Sequence, residues 1–182
     1  MRRVAIALAL IWLGPNALPS GLAAAPKSAI DLAGRAKGQS SGLPTPRFVS
    51  LKADEVNVRR GPGWDHAVSW VFRRAGLPVE VIAEFDVWRE VRDSEGATGW
   101  VLGTLLSGRR TVLVAPWKTK TQMIELYDGP DQSGRVNARL TPGVLADVEK
   151  CDGNWCRILA GGVDGYVAQD VVWGAYPGEA IN

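Results

Sequence analysis

After Pro46 the apolar residues fall into short runs in which apolar and polar positions alternate: "EVNV", "PVEVIAEF", "WREV" and "GWVL", then "MIELY", "VLADVEK", "WCRI" and "GYVAQDVVW". Runs this short, rich in Val, Ile and aromatics and bounded by Gly, Pro and Asp, predict strands of small all-β units and not helices. The runs also repeat. "VNVRRGP" (Val56 to Pro62) matches "IELYDGP" (Ile124 to Pro130) at an offset of 68, and "GLPVEVIAEFDVWREV" matches "GVLADVEKCDGNWCRI" at 67. Gly99-Trp100-Val101 matches Gly165-Tyr166-Val167 at 66. Three anchors in one order predict two homologous modules, 47–109 and 110–179, meeting at a short basic hinge, "SGRR".

The repeat bears on the two cysteines of the chain, Cys151 and Cys156. At offset 67 they correspond to Glu84 and Arg89, and in both modules four residues intervene, "DGNW" and "FDVW". Such a segment suits a hairpin tip, and residues flanking it face each other within disulfide reach. The expectation is a structural disulfide in the second module, where the first carries an exposed pair of opposite charges. A redox-active dithiol would call for Cys-x-x-Cys spacing and a helix start, and the sequence has neither.

Residues before 47 change the charge picture. Met1-Arg2-Arg3, the apolar run Val4 to Leu13 and the small residues around Ala23 have the layout of an export signal over 1–24; ten apolar residues are too few to span a bilayer, which takes about 20. The stretch 25–46, rich in Ala, Gly, Ser, Lys and Pro, reads as a flexible linker. Without Arg2 and Arg3, the balance of Lys and Arg against Asp and Glu falls from 21 against 19 to 19 against 19. The basicity then belongs to the leader, and a nucleic-acid partner loses its support. Export, to the periplasm or beyond the cell, also suits a paired cysteine.

"NVRRGPG" followed by "GLPVEVIAEFDVWREVRDSEGATGWV" resembles the bacterial SH3 domain family, and the second half, closing on "VVWGAYPGE", looks like a divergent copy with Glu125 and Tyr127 in place of Asn57 and Arg59. The resemblance implies two tandem SH3-like β-barrels, no cofactor, and a binding role in place of catalysis; no metal is expected either, because a zinc site needs more His or Cys ligands than remain. It also implies a cell-envelope setting, with peptidoglycan peptide or glycan as the partner, or another envelope protein that the tandem modules serve as adaptor.

Catalysis finds little material. The chain has one histidine, His66, in a Gly-Pro-rich loop, and thiols expected to be paired leave no nucleophile. Binding has more, because seven tryptophans lie outside the leader and Trp offers a large rigid face at recognition surfaces. Candidate groove residues of the first module are Arg59, Trp64, His66, Trp70, Trp88 and Trp100; those of the second are Tyr127, Trp155 and Tyr166. Alternation places Trp88 and Val91 on opposite faces of one strand, so Trp88 is either core or groove, the latter being what the resemblance implies. Trp100 is core, barrel edge or groove, and Trp64 is the exposed member. Arg59 and Asn57 either hold the loop after them or touch ligand. Trp64 corresponds to Gln132 and Trp70 to Asn137 or Ala138, so the first module is the richer in aromatics. The second either scaffolds it or packs on it through Trp117 and Trp173.

Overall fold

The computed structural model describes residues 34–182; the export signal expected over 1–24 lies outside the described residues. Among the described residues the regular elements are strands, apart from two short 3-10 turns, Gly103–Leu105 and Gln169–Val171.

A two-stranded ribbon comes first, β1 (Ala36–Lys37) and β2 (Pro44–Thr45). This part of the chain departs from the flexible linker expected through residue 46. Its polar turn has a distant partner: the backbone N–H groups of Ser40 and Ser41 and the Ser41 hydroxyl all donate to the Glu84 carboxylate.

The first repeat then supplies β3 (Arg47–Leu51), β4 (Val56–Arg59), β5 (Val68–Phe72), β6 (Pro78–Phe85), β7 (Trp88–Arg92), β8 (Thr98–Leu102) and β9 (Leu106–Ser107). They form one sheet in the order β5-β4-β8-β7-β6-β3-β9. The second repeat supplies β10 (Thr111–Val114), β11 (Ile124–Tyr127), β12 (Val136–Leu140), β13 (Val144–Asp152), β14 (Trp155–Ala160), β15 (Val163–Ala168) and β16 (Val172–Trp173). Its order, β12-β11-β15-β14-β13-β10-β16, is the same order one repeat later, and β17 (Ala180–Ile181) adds to β13. The correspondence reaches the irregularities. The ladder shifts between Val81 and Ala83 in one sheet and between Val148 and Lys150 in the other, and again at Val58/Arg59 and Leu126/Tyr127.

Each sheet turns its alternate β-branched residues inward. Val56, Val58, Val79, Val81, Val91 and Val101 are all but sealed in the first core; Leu126, Ile158, Val167 and Val112 hold the same duty in the second. Burying one such side chain contributes about 1.5–3 kcal/mol, which is why short strands with few long-range constraints of their own hold their register.

The two sheets are joined by a built junction. Trp173 stands edge-on to Phe48 with centroids 5.0 Å apart and donates its indole N–H to Pro78 O at 3.3 Å. Tyr176 packs on Phe48 at 4.6 Å and donates its hydroxyl to Glu80 Oε1 at 2.8 Å. Arg92 donates to the other oxygen of Glu80, and Thr111 Oγ1 donates to Gly76 O at 2.6 Å. Of the two tryptophans considered for this contact, Trp173 makes it, whereas Trp117 is exposed. The expected hinge is tied down as well: Arg110 reaches Glu179 with two bonds and Gly174 O with a third. Gly174 is required there, because at φ +123° a Cβ would collide with Thr111 O.

Candidate functional site

The tip of the β6–β7 hairpin and the loop after β4 build the site of the first module. Trp88 lies on the face of β7 opposite Val91, as alternation dictates, and is missing from the valine core. It is nonetheless only 5% exposed, because Trp64 covers it edge-on at 5.2 Å while remaining 68% exposed itself. Arg59 fixes this cover. Its guanidinium donates to His66 O at 2.7 Å and Trp64 O at 3.3 Å and lies 5.3 Å from the Trp64 ring centroid, a cation-π contact worth about 0.5–1 kcal/mol at an exposed position. Arg59 thus holds the loop, the first of the two duties considered for it.

Other candidates separate from this cluster. Trp100 is half-buried and lies in register between Arg59 and Glu90. Trp70 packs on the core, against Phe72 and over Gly99, with a buried indole N–H that has no partner. His66 is exposed at the loop, its ring set against Gly61 so closely that a Cβ there would displace it.

In the second module the same positions are arranged differently. Trp155 follows the β13–β14 hairpin as Trp88 follows its own, and Tyr127 meets it edge-on at 5.9 Å. Tyr127 donates its hydroxyl to Glu125 Oε2 at 2.8 Å; that bond, with some help from burial, pushes the phenol above its ordinary value. Tyr166 pairs in register with both Tyr127 and Arg157 and lies 5.9 Å from Lys150 Nζ. Gln132 stands where the first repeat has Trp64, and a cleft of about 260 Å³ opens beside Trp155. Lys118, Met123, Gln132 and Arg139 complete its wall.

Sequence reasoning missed that wall. The loop between β10 and β11 spans 115–123, against 52–55 between β3 and β4. It brings Trp117, Lys118 and Met123 with it, and residues without a counterpart in the other repeat carry no repeat signal. The disulfide, in contrast, is where the repeat placed it. Cys151 and Cys156 are register partners with Cα atoms 4.1 Å apart, bonded to each other.

Glu84 and Arg89 are register partners too, with Arg89 Nε 3.3 Å from Glu84 Oε1. They differ from the exposed pair expected. Only 1% of the Glu84 side chain is exposed, because Arg47 and the Ser40–Ser41 turn close over it. Burial pushes this carboxyl up, but the Ser41 hydroxyl and amide, Arg47 and Arg89 together outweigh it and hold the group at about 2.

A family model described as the bacterial SH3 domain matches residues 52–108 and again 120–174. The chain belongs to the bacterial SH3 domain family. It carries two tandem SH3 domains, one per sheet, the second with a disulfide. Over 128 residues it is 23% identical to the Bacillus subtilis (strain 168) protein YrvJ, provisionally named an N-acetylmuramoyl-L-alanine amidase; the match takes in 67% of this chain and 24% of that protein. The chain therefore spans about a quarter of that relative's length. Among solved structures, NlpC1 and NlpC2 of Trichomonas vaginalis align at 14% and 12% identity, each with a TM-score of 0.32. The alignments cover 74% and 71% of this chain and 48% of either protein.

Proposed function

We propose that this protein is an exported, non-catalytic binding module of the cell envelope whose tandem SH3 domains recognise peptidoglycan peptide or glycan. The observation that carries the reading is the aromatic pair at one place in both domains. Trp64 lies over Trp88 in the first, and Tyr127 stands against Trp155 in the second beside an open cleft. Aromatic faces next to a few fixed polar groups suit short peptides and sugars, which bind by stacking and a small number of hydrogen bonds. The amidase name carried by YrvJ supports a cell-wall setting for the relative; for this chain the setting is part of the proposal. Trp64, on the surface of the first domain, and Tyr127 and Trp155, in the cleft of the second, are the contacts proposed, with Trp88 as a floor that a ligand reaches only if Trp64 moves.

The test is sedimentation with purified sacculi at moderate salt. Wild type is expected to co-sediment, and Trp155→Ala and Trp64→Ala each to lose at least about tenfold in affinity, the scale of an interface hot spot. Failure of the wild type to co-sediment would overturn the reading. It would favour the second one, an adaptor for another envelope protein, which the built junction between the domains supports because it presents both surfaces as one.

A further inference from the structure

The cleft of the second domain is not the whole of the space around Trp155. A separate cavity, of about 410 Å³, also opens on that side chain, with Pro130, Lys150, Cys151, Tyr166 and Ala180 in its wall. Trp155 is the residue common to the two linings. Tyr166 carries the aromatic surface into the second space. It pairs in register with Tyr127 on β11 and with Arg157 on β14, two residues from Trp155, so the three rings lie on one face of the sheet. All three are half-buried. The strands that carry them, β11, β14 and β15, are interior to the sheet, each hydrogen-bonded to a neighbour on both sides. An extended peptide laid across the strip therefore meets no free strand edge to pair with, and its amides would give up water without replacement.

We infer that the second domain binds a linear chain of 2-acetamido sugars that crosses Trp155 and places rings in both cavities. A pyranose needs no strand edge: its C–H face rests on an aromatic face, and its hydroxyls ask only for a few side-chain partners at the rim. The rim supplies them. Lys118 and Gln132 line the first cleft, and the polar groups of their side chains have no partner among the described residues; Lys150 stands 5.9 Å from the Tyr166 ring centroid at the second cavity. Met123, Ile124, Val167 and Val171 give the first cleft an apolar wall that suits the methyl of an acetamido group. The inference rests on the cell-wall reading for its choice of site. It adds that the ligand there is glycan in place of peptide, and that it must be long enough to fill both spaces.

The test is calorimetric titration of the full chain with the disaccharide and the tetrasaccharide of β-1,4-linked N-acetylglucosamine, and with N-acetyl-tetra-alanine. The tetrasaccharide is expected to bind at least about tenfold tighter than the disaccharide and than the peptide. Ala180 is an exposed position in the wall of the second cavity, so Ala180→Trp should fill that space. It is expected to weaken the tetrasaccharide by at least about fivefold at an unchanged unliganded melting temperature; should the variant not fold, the length series on the wild type decides. Absence of tetrasaccharide binding at about 10 mM, equal affinity for the two sugars, a peptide bound as tightly as the tetrasaccharide, or undiminished binding by folded Ala180→Trp would each overturn the inference. Sedimentation with sacculi separates this failure from that of the cell-wall reading. A chain that sediments with sacculi but ignores the tetrasaccharide sinks the inference alone, and one that binds the tetrasaccharide but not sacculi sinks the reading alone.

Discussion

The two domains close the same hairpin in different ways. Glu84 and Arg89 in the first and Cys151 and Cys156 in the second occupy one register position, one ladder step beyond matching bulges. The disulfide needs nothing further to hold. The carboxylate does, and it recruits Arg47 from β3 and Ser40 and Ser41 from the ribbon. Around the cysteines the covering segment is β17, which sets Ile181 opposite Cys151. A buried charge therefore organises polar chain around itself, and a buried disulfide accepts an apolar cover. The outer faces differ in the same spirit. Arg59, Trp100 and Glu90 lie in a row across the first sheet, and Tyr127, Tyr166 and Arg157 across the second.

The largest effect is expected from exchanging the clamps. Cys151→Glu with Cys156→Arg would place charges beside Ile181 without the serine turn or Arg47. We expect a loss of more than about 5 kcal/mol in urea unfolding, the covalent and the charge penalties together; a loss no greater than that of simple reduction would mean the surroundings do not matter. Acid comes next. The Glu84 carboxyl is held at about 2 against an ordinary 4.5, so its contribution is complete above 4.5 and is lost as pH falls toward 2. It amounts to something on the order of 3 kcal/mol. Wild type should lose that much relative to Glu84→Gln across this window, and parallel pH profiles would contradict the assignment. Reducing Cys151–Cys156 should cost about 2 kcal/mol for a loop of this size, read as a lower melting temperature in dithiothreitol. The smallest effect concerns the junction. Tyr176→Phe leaves Glu80 Oε1 without its donor and should cost about 1.5 kcal/mol, visible as faster amide exchange in β10 and β6.

The repeat makes the hairpins legible. A motif present twice reports the positions that the fold fixes, so the correspondence with Glu84 and Arg89 pairs Cys151 with Cys156 from the sequence alone. Trp88 is legible to a point: alternation sets it opposite Val91, but nothing local to β7 says that Trp64 comes back to cover it. The junction is legible only in Trp173, one of the two tryptophans considered for it; its polar half is not, for a specific reason. In "PVEVIAEF" Val79 and Val81 point inward, which assigns Glu80 to the water side; the second domain takes the place of water there, and Glu80 is buried against Tyr176. Ser40 and Ser41 mislead for the converse reason, since polar residues in a Gly-rich stretch look solvated until a buried carboxylate claims them. The loop 115–123 belongs to one domain alone, so comparison between the repeats does not find the wall it gives the Tyr127–Trp155 cleft.

The junction has a consequence for anything gripped at two points. Domains on a slack tether meet a second contact with an effective concentration that depends on tether length and tolerates many spacings. Here Glu80, Tyr176, Trp173 and Arg110 replace the tether with packed side chains, so the two surfaces stand at one separation and one angle. If the proposed cell-wall reading holds, the pair would work as a caliper: a polymer whose repeat fits the gap would gain both contacts with little further loss of freedom, and one whose repeat does not fit would be held by one domain at a time.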